Sequence, residues 1–288
     1  MRIAILFHGI AGGMGGKNGY GEPSNLYHCA KFWENNVYGD ADYDIFIHSW
    51  STEAQESIVG AFKPTRYAIE PQPTFGFDIP EETKHHDNNV TMLYKNISRF
   101  TSAYIVYNMM LQYQKETGIE YDYCILSRMD LLFFNKINLN SLEKDNVYLC
   151  NNPFPNWQNP HESNIIFDPF LIMDYQMTCQ FCNIIVDLNN FKYRNIAGNS
   201  HYLCTAKLRD MGYIHKIKYI CTRFSDLDVY RFIFMDNAND GRSEEYNAGA
   251  NAKRMFDILK AWELEENTKK VLDNPNNYLI LNRKSIFS

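Results

Sequence analysis

The chain has 288 residues, 45% of them hydrophobic and 15% aromatic, which excludes a disordered protein and allows a full-sized core. Lysine and arginine total 28 against 34 aspartates and glutamates, so the net charge is -6. This weakly acidic balance argues against a nucleic-acid-binding protein, which normally presents a basic face, and leaves room for an anionic small ligand held by a few local cations.

Apolar runs and helical patterns alternate through the first half of the chain, which predicts an α/β fold with a Rossmann-like sheet flanked by helices. A first helix is predicted over Asn25–Asn35, and a long one over about 91–117 because its apolar residues recur every three or four positions. The predicted strands are Ile3–Phe7, Tyr43–Ile47, Arg66–Ile69, Tyr123–Leu126 and Val147–Cys150.

The second half of the chain is predicted to combine helices with a short strand at Ile165–Phe167 and strand-like pieces within Tyr219–Phe234. Pro169 is typical of the first turn of a helix, here expected to reach about Leu188, and further helices are expected over about His201–Met211 and 251–270. We therefore expect a catalytic domain over residues 1–235 and a helical C-terminal extension over 236–288 that packs on it.

The chain shows no sign of export or membrane insertion. No apolar stretch approaches the ~20 residues that a membrane span needs. The opening residues, MRIAILFHGI, are typical of a first strand rather than a signal peptide. Seven cysteines, an odd number, fit reduced core thiols. We expect a cytoplasmic protein with no transmembrane segment, located in the host cytoplasm if it is viral.

Unusual residues follow three of the predicted strands. Phe7-His8-Gly9 ends the first strand, His48-Ser49-Trp50 the second, and Arg128-Met129-Asp130 the strand after the long helix. Ligands of open α/β sheets bind beyond the carboxyl ends of the strands. We therefore expect these three segments to lie close together and to form the ligand site.

The glycine-rich loop from Gly9 to Gly21 invites comparison with phosphate-binding loops. Gly16-Lys17 resembles part of a P-loop, but Asn18 replaces the Ser or Thr that would hold magnesium. Gly19, Gly21 and Pro23 also disfavour the helix that a P-loop needs at that lysine. The interpretation that survives best is a loop whose backbone approaches a ligand closely, with a P-loop-like kinase or sulfotransferase as the alternative.

Two pairs of metal-ligand residue types fall in the second half of the chain. Cys179-x-x-Cys182 and His201-x-x-Cys204 have the composition of a four-ligand zinc site. Both pairs lie in predicted helices, where small buried cysteines are common. Structural zinc and plain core thiols both stay open from the sequence.

Asp130 and Arg128 carry the clearest chemistry. A carboxylate at the end of a strand can bind a divalent cation through its oxygens. The neighbouring guanidinium can bind a diphosphate through two parallel hydrogen bonds. The simpler interpretation is a salt bridge that ends the strand.

The order of these motifs resembles glycosyltransferases of polysaccharide and glycan assembly from bacteria and large DNA viruses. The resemblance covers about the first 170 residues and lies in Asp44–Trp50 and in Tyr121–Asp130. It implies a GT-A-like sheet in which a D-x-D motif holds Mn²⁺ or Mg²⁺ and a nucleotide-sugar diphosphate. Arg128 stands where the first Asp of that motif would be, so metal dependence stays open.

The resemblance implies a hexosyl- or pentosyltransferase that moves a sugar from a nucleotide diphosphate sugar to a glycan hydroxyl. Arg128 would offset charge on the leaving diphosphate, and Asp168 or Glu162 would remove the acceptor proton. A metal ion would be held by Asp130, with His201 as a late ligand. The implied donor-binding residues are Phe7, His8, Gly9, His48, Trp50, Arg99, Arg128 and Asp130. A non-catalytic carbohydrate-binding protein with the same fold is a further alternative.

Overall fold

The structure is a computed structural model. It describes residues 1–12, 24–75, 87–150, 166, 169–190, 193, 199–221, 227–229 and 248–273. Its strands are β1 (Arg2–Gly9), β2 (Asp42–Ser49), β3 (Arg66–Ile69), β4 (Tyr123–Ser127), β5 (Leu131–Phe133), β6 (Val147–Cys150), β7 (Phe170–Asp174), β8 (Ile217–Cys221) and β9 (Leu227–Val229). Its α-helices are α1 (Leu26–Trp33), α2 (Gln55–Phe62), α3 (Asp87–Thr117), α4 (Tyr175–Cys182), α5 (Ile184–Asn189), α6 (Ser200–Asp210) and α7 (Ala248–Asp273).

A mixed sheet of seven strands forms the centre of the molecule, in the order β3-β2-β1-β4-β7-β6-β8. The strands β3, β2, β1 and β4 are parallel to one another, as expected for strands joined by helical crossovers. The strand β7 runs antiparallel to both β4 and β6, while β6 and β8 are parallel. Strands β5 and β9 form a separate antiparallel pair. The predicted α/β class with a Rossmann-like sheet is confirmed.

Successive side chains of β1 pack alternately into two separate hydrophobic cores, one on each face of the sheet. Ile3, Ile5 and Phe7 of β1 pack on one face with residues of α1 and α2. Ala4 and Leu6 pack on the other face with residues of α3, α4 and α6. Burial on both faces explains why β1 is a continuous apolar run in the sequence.

The last helix, α7, packs on the first of these cores. Its Met255 is fully buried, and the ring of Trp262 lies 4.9 Å from the ring of Phe32 in α1. The side chain of Lys31 in α1 also pairs with Glu266 at 3.3 Å. The helical C-terminal extension is thus confirmed, while the boundary between 1–235 and 236–288 stays a prediction.

The predicted helix from Pro169 to Leu188 is wrong in its first part. Phe170–Asp174 forms β7, an interior strand, and the helix α4 begins only at Tyr175. The carboxylate of Asp174 caps that helix by accepting a hydrogen bond from the N–H of Met177 at 2.8 Å. A short run that is buried on both faces has no alternation, so its periodicity cannot distinguish a strand from a buried helix.

None of the helices in the described ranges is long and apolar enough to cross a membrane. Six cysteines are seen as free thiols: Cys29, Cys124, Cys150, Cys179, Cys182 and Cys204. Burial raises the pKa of the Cys124 thiol to about 12, which keeps it protonated and unreactive at neutral pH. The cytoplasmic location stays a prediction.

Candidate functional site

The three strand ends that the sequence singles out are neighbours at one edge of the sheet. His8 of β1 lies opposite His48 of β2, and Phe7 lies opposite Ser127 of β4. Adjacent strands are about 4.8 Å apart, so the three ends share one small region. The expected convergence is confirmed.

The crevice between β1 and β4 is the point at which the chain reverses its direction across the sheet. From β1 the chain moves outward through β2 to β3, and it then returns to the opposite side of β1 to form β4. Ligands of open α/β folds bind at the carboxyl end of such a switch point. This topology places the candidate site between the ends of β1 and β4.

Gly12 brings the start of the glycine-rich loop against the end of β4. Its φ is +77°, and a Cβ there would lie 2.7 Å from Oδ2 of Asp130 and 3.1 Å from Oγ of Ser24. The carbonyl of Gly12 accepts a hydrogen bond from the N–H of Ser24 at 3.2 Å. Only glycine allows both this conformation and this close approach. The rest of the loop, including Lys17, lies outside the described residues.

Arg128 and Asp130 form a side-on ion pair in this crevice. Nε of Arg128 donates to Oδ1 of Asp130 at 2.8 Å, and Nη2 donates to Oδ2 at 2.5 Å. The Asp130 side chain is fully buried, whereas the Arg128 side chain is 24% exposed. The buried carboxylate therefore fixes the orientation of a guanidinium that still reaches the surface.

The segment before β7 is attached to the same strand end. The N–H of Arg128 and the hydroxyl of Ser127 both donate to the carbonyl oxygen of Pro169 at 3.1 Å. The predicted base Asp168 directly precedes Pro169 in the chain, but Asp168 and Glu162 both lie outside the described residues. Their role in catalysis stays a prediction.

His48 is a buried link between strand and helix rather than an exposed contact. Its Nδ1 lies 2.7 Å from Oγ of Ser102 in α3, and its Nε2 lies 3.3 Å from Oε1 of Glu70. The same Ser102 oxygen accepts a hydrogen bond from the N–H of Gly9 at 2.7 Å. Burial lowers the pKa of His48, and the hydrogen bond to Glu70 partly opposes this shift.

Trp50 continues this attachment of β2 to α3. Its indole Nε1 donates to the carbonyl of Ser98 at 3.2 Å, and its ring meets the ring of His48 edge-on at 4.4 Å. Its backbone N–H donates to the carbonyl of Gly9 at 3.2 Å. Next to Ser98, the Arg99 guanidinium lies 5.5 Å from the ring centre of Phe100.

Most of the predicted donor-binding side chains are therefore buried next to the crevice and are not exposed in it. Phe7 is fully buried and packs edge-on against Trp33 at 4.7 Å, and the side chains of His8 and Trp50 are also buried. Arg128 and the backbone of Gly9 and Ile10 are partly exposed, whereas Ala11 and Gly12 are buried beside them. A binding role for the others stays a prediction.

Asp44, the first residue of the motif that ends at Trp50, lies at the opposite end of β2. Its carboxylate accepts hydrogen bonds from Arg2 Nη2 at 2.8 Å, from the Tyr121 hydroxyl at 2.8 Å and from the Thr65 hydroxyl at 3.1 Å. These contacts join β1, β2 and the start of β4. The motif thus combines a structural aspartate with residues that border the site.

Sequence reasoning missed Ser102 altogether. This serine is fully buried in α3, yet it does not belong to the apolar residues that recur every three or four positions along that helix. The sequence pattern therefore gave no signal of its burial, although a buried polar side chain needs a partner. Ser102 has its partners at the ends of β1 and β2.

The proposed metal ligands of the second half lie on α4 and α6. The side chains of Cys182 and Cys204 are fully buried in the core beneath α3, and Cys179 is partly exposed. His201 lies in the first turn of α6, where Oδ1 of Asn199 accepts its N–H at 2.9 Å. Among the residues described, no group of three or more His, Cys, Asp or Glu side chains is arranged to hold a metal ion.

A cavity of about 240 Å³ lies at the amino end of the strands, far from the crevice. Met1, Asp40 and Lys136 contribute to its lining. Lys136 pairs with Asp40, so the positive charge there is already balanced. We favour the crevice as the functional site because ligands of this fold class bind at the carboxyl ends of the strands.

Comparison with known proteins adds little. No protein family and no curated protein matches the sequence. Solved structures that match include a nucleoside-diphosphate-sugar pyrophosphorylase from Vibrio cholerae RC9, with 12% sequence identity and a TM-score of 0.41. The match covers 80% of this chain and 95% of that chain. The functional conclusion therefore depends on the site itself.

Proposed function

We propose that the protein is a glycosyltransferase that binds a nucleotide diphosphate sugar in the crevice between β1 and β4 and transfers the sugar to a glycan hydroxyl. The observation that carries this proposal is the Arg128–Asp130 pair, held at the switch point of the sheet against the backbone of Gly12. A fixed, partly exposed guanidinium beside a glycine-lined backbone suits a diphosphate. The order of motifs in the first 170 residues supports sugar transfer as the reaction.

The donor half of the mechanism follows from charge. The chain as a whole is acidic, so an anionic donor must be attracted by local cations. Arg128 offers such a charge in the crevice, and it is already oriented by Asp130. Its guanidinium would stabilise the negative charge that grows on the diphosphate as the bond to the sugar breaks.

The acceptor half would use a carboxylate from the segment that precedes β7. In a transfer with inversion, this base takes the proton of the acceptor hydroxyl, the hydroxyl oxygen attacks the anomeric carbon, and the diphosphate leaves with the bonding electrons. Asp168 is the first choice and Glu162 the second. The contact of Pro169 with Arg128 supports this choice, because it brings the chain next to Asp168 to the end of β4.

The P-loop alternative has less support. The helix α1 begins at Leu26, nine residues after Lys17, and its N-cap is Asn25, which accepts a hydrogen bond from the N–H of His28 at 3.2 Å. A P-loop lysine instead lies at the start of its helix. No feature of the described residues favours a kinase or a sulfotransferase.

Calorimetric titration with UDP-sugars, GDP-sugars, ATP and the sulfate donor PAPS tests the proposal. We expect a nucleotide sugar to bind and Arg128→Ala to weaken that binding by about 100-fold, the scale of one charged hydrogen-bonding group. Arg254→Ala is the control. Arg254 belongs to α7, and its guanidinium lies over the ring of Phe134, outside the crevice. Binding of ATP or PAPS alone would favour the P-loop alternative, and a failure of every donor to bind would favour a non-catalytic protein.

A further inference from the structure

The metal that the resemblance implies can be tested against the residues of the crevice. Mg²⁺ and Mn²⁺ bind through carboxylate oxygens and the oxygens of substrate phosphates. Asp130 is the carboxylate at this position, and both of its oxygens already accept hydrogen bonds from Arg128. In the part of the chain that the structure describes, no group of three or more His, Cys, Asp or Glu side chains is arranged to hold a metal ion, at Asp130 or elsewhere. These residues do not fit a resident divalent cation.

The space beside Asp130 is also filled. A single carbon atom added at Gly12 would lie 2.7 Å from Oδ2, which is closer than van der Waals contact allows. A hydrated divalent ion with its shell of oxygen ligands needs considerably more room than a methyl group. Gly12 therefore occupies one side of the carboxylate, and the guanidinium of Arg128 occupies another.

We propose that Arg128 performs the task of the missing cation at the diphosphate, and that Asp130 is a positioning residue that holds the guanidinium and does not bind metal. This inference rests on the proposed function. It predicts a donor site that works without a divalent ion.

The geometry of the pair leaves Arg128 able to bind a ligand. The contact with Asp130 uses Nε and one N–H of Nη2, so among the described residues Nη1 and the second N–H of Nη2 stay available to a ligand. The edge that these two nitrogens form has the spacing to bind two phosphate oxygens at once. The side chain is 24% exposed, so part of it is accessible to an anion.

The burial of Asp130 explains how this carboxylate can hold the guanidinium of Arg128 in place. A fully buried carboxylate needs its partner, because a lone charge in that environment is strongly disfavoured. The guanidinium is thereby held in one orientation before the ligand arrives. A donor group that is oriented in advance stabilises a developing charge more effectively than a mobile one.

The test measures UDP and GDP binding to the full-length protein by calorimetry, in EDTA and in excess Mn²⁺. We expect dissociation constants that agree within about threefold between the two conditions. Arg128→Lys keeps the charge but loses the planar fork, so we expect about tenfold weaker binding that Mn²⁺ does not restore. Asp130→Asn frees the guanidinium, and we expect a similar loss, equal in EDTA and in Mn²⁺.

Two results would overturn the inference. Binding of UDP or GDP that requires Mn²⁺ and disappears in EDTA would show that the site uses a cation, while leaving the proposed glycosyltransferase intact. Binding to neither nucleotide in either condition would overturn the proposed function and this inference with it. The wild-type comparison needs no substitution, so it decides the matter even if Asp130→Asn fails to fold.

Discussion

The hydroxyl oxygen of Ser102 lies 2.7 Å from Nδ1 of His48, and this contact joins the long helix α3 to the carboxyl end of β2. The same oxygen accepts the N–H of Gly9, where β1 ends with a φ of +97°. One serine thus holds the ends of two neighbouring strands beside the crevice. Its position explains how a distant helix helps to fix the backbone that a ligand would meet.

Ser102→Ala tests this role. The change leaves the N–H of Gly9 without its acceptor, so we expect the free energy of unfolding to fall by about 1–3 kcal/mol. We also expect weaker nucleotide-sugar binding, because the backbone at Gly9 is less well fixed. Ser98→Ala, one turn earlier in α3, is the control, since Oγ of Ser98 accepts only from Gln72 among the contacts described. Equal binding by the two variants would separate Ser102 from the site.

The pH dependence of stability should reflect His48. Its pKa in the folded protein is lowered below the ordinary value of 6.5, chiefly by burial. The unfolded chain therefore binds the proton more tightly than the folded protein does. The contribution of His48 to the free energy of unfolding is complete above pH 6.5 and is lost as the pH falls through the lower pKa of the folded state. Burial also lowers the pKa of His28, which contributes in the same direction.

Histidine titration by NMR measures this shift directly. We expect His48 to titrate below 6.5, and Glu70→Gln to lower its pKa further because the hydrogen bond with Glu70 favours the charged ring. The His28→Gln variant separates the two histidines. A His48 that titrates above 6.5 would show that the Glu70 contact outweighs burial.

Gly12→Ala should damage the site more than an alanine at an equally strained glycine elsewhere. Gly12 and Gly212 both have positive φ values, +77° and +79°, so both substitutions carry a backbone cost of about 1–3 kcal/mol. The new Cβ meets Asp130 at Gly12 but has open space at Gly212. We expect both variants to lose stability in chemical denaturation, and only Gly12→Ala to lose nucleotide-sugar binding by about tenfold or more. Unchanged binding by Gly12→Ala would remove the Gly12–Asp130 contact from the account.

Asp44→Asn should affect stability and spare binding. The carboxylate of Asp44 is largely buried and accepts from Arg2, Tyr121 and Thr65, so the loss of its charge weakens a network at the far end of the sheet. Because Arg2 is one-third exposed, we expect a moderate loss of about 1–2 kcal/mol in the free energy of unfolding. Titration of the folded variant should give the nucleotide-sugar affinity of the wild type. A selective loss of affinity would place Asp44 in the site.

The sequence predicts the strands β1 to β4 and β6 well, and it predicts a helix where β7 lies. Strands β1, β2 and β4 are apolar runs that are followed by polar residues or glycine, and this pattern can be seen in the local sequence. The sequence predicts a helix at β7, because the burial of this strand on both faces is decided by partners far away in the chain. The contact between Gly12 and Asp130 is equally non-local, since it depends on the order of the strands and not on spacing.

A crystal structure of the protein with a bound nucleoside diphosphate sugar tests the central claim most directly. We predict that the diphosphate lies between the carboxyl ends of β1 and β4, within hydrogen-bond distance of Nη1 or Nη2 of Arg128 and beside the backbone of Gly9 to Gly12. Ligand found instead in the cavity near Met1 and Lys136, at the amino ends of the strands, would contradict this claim.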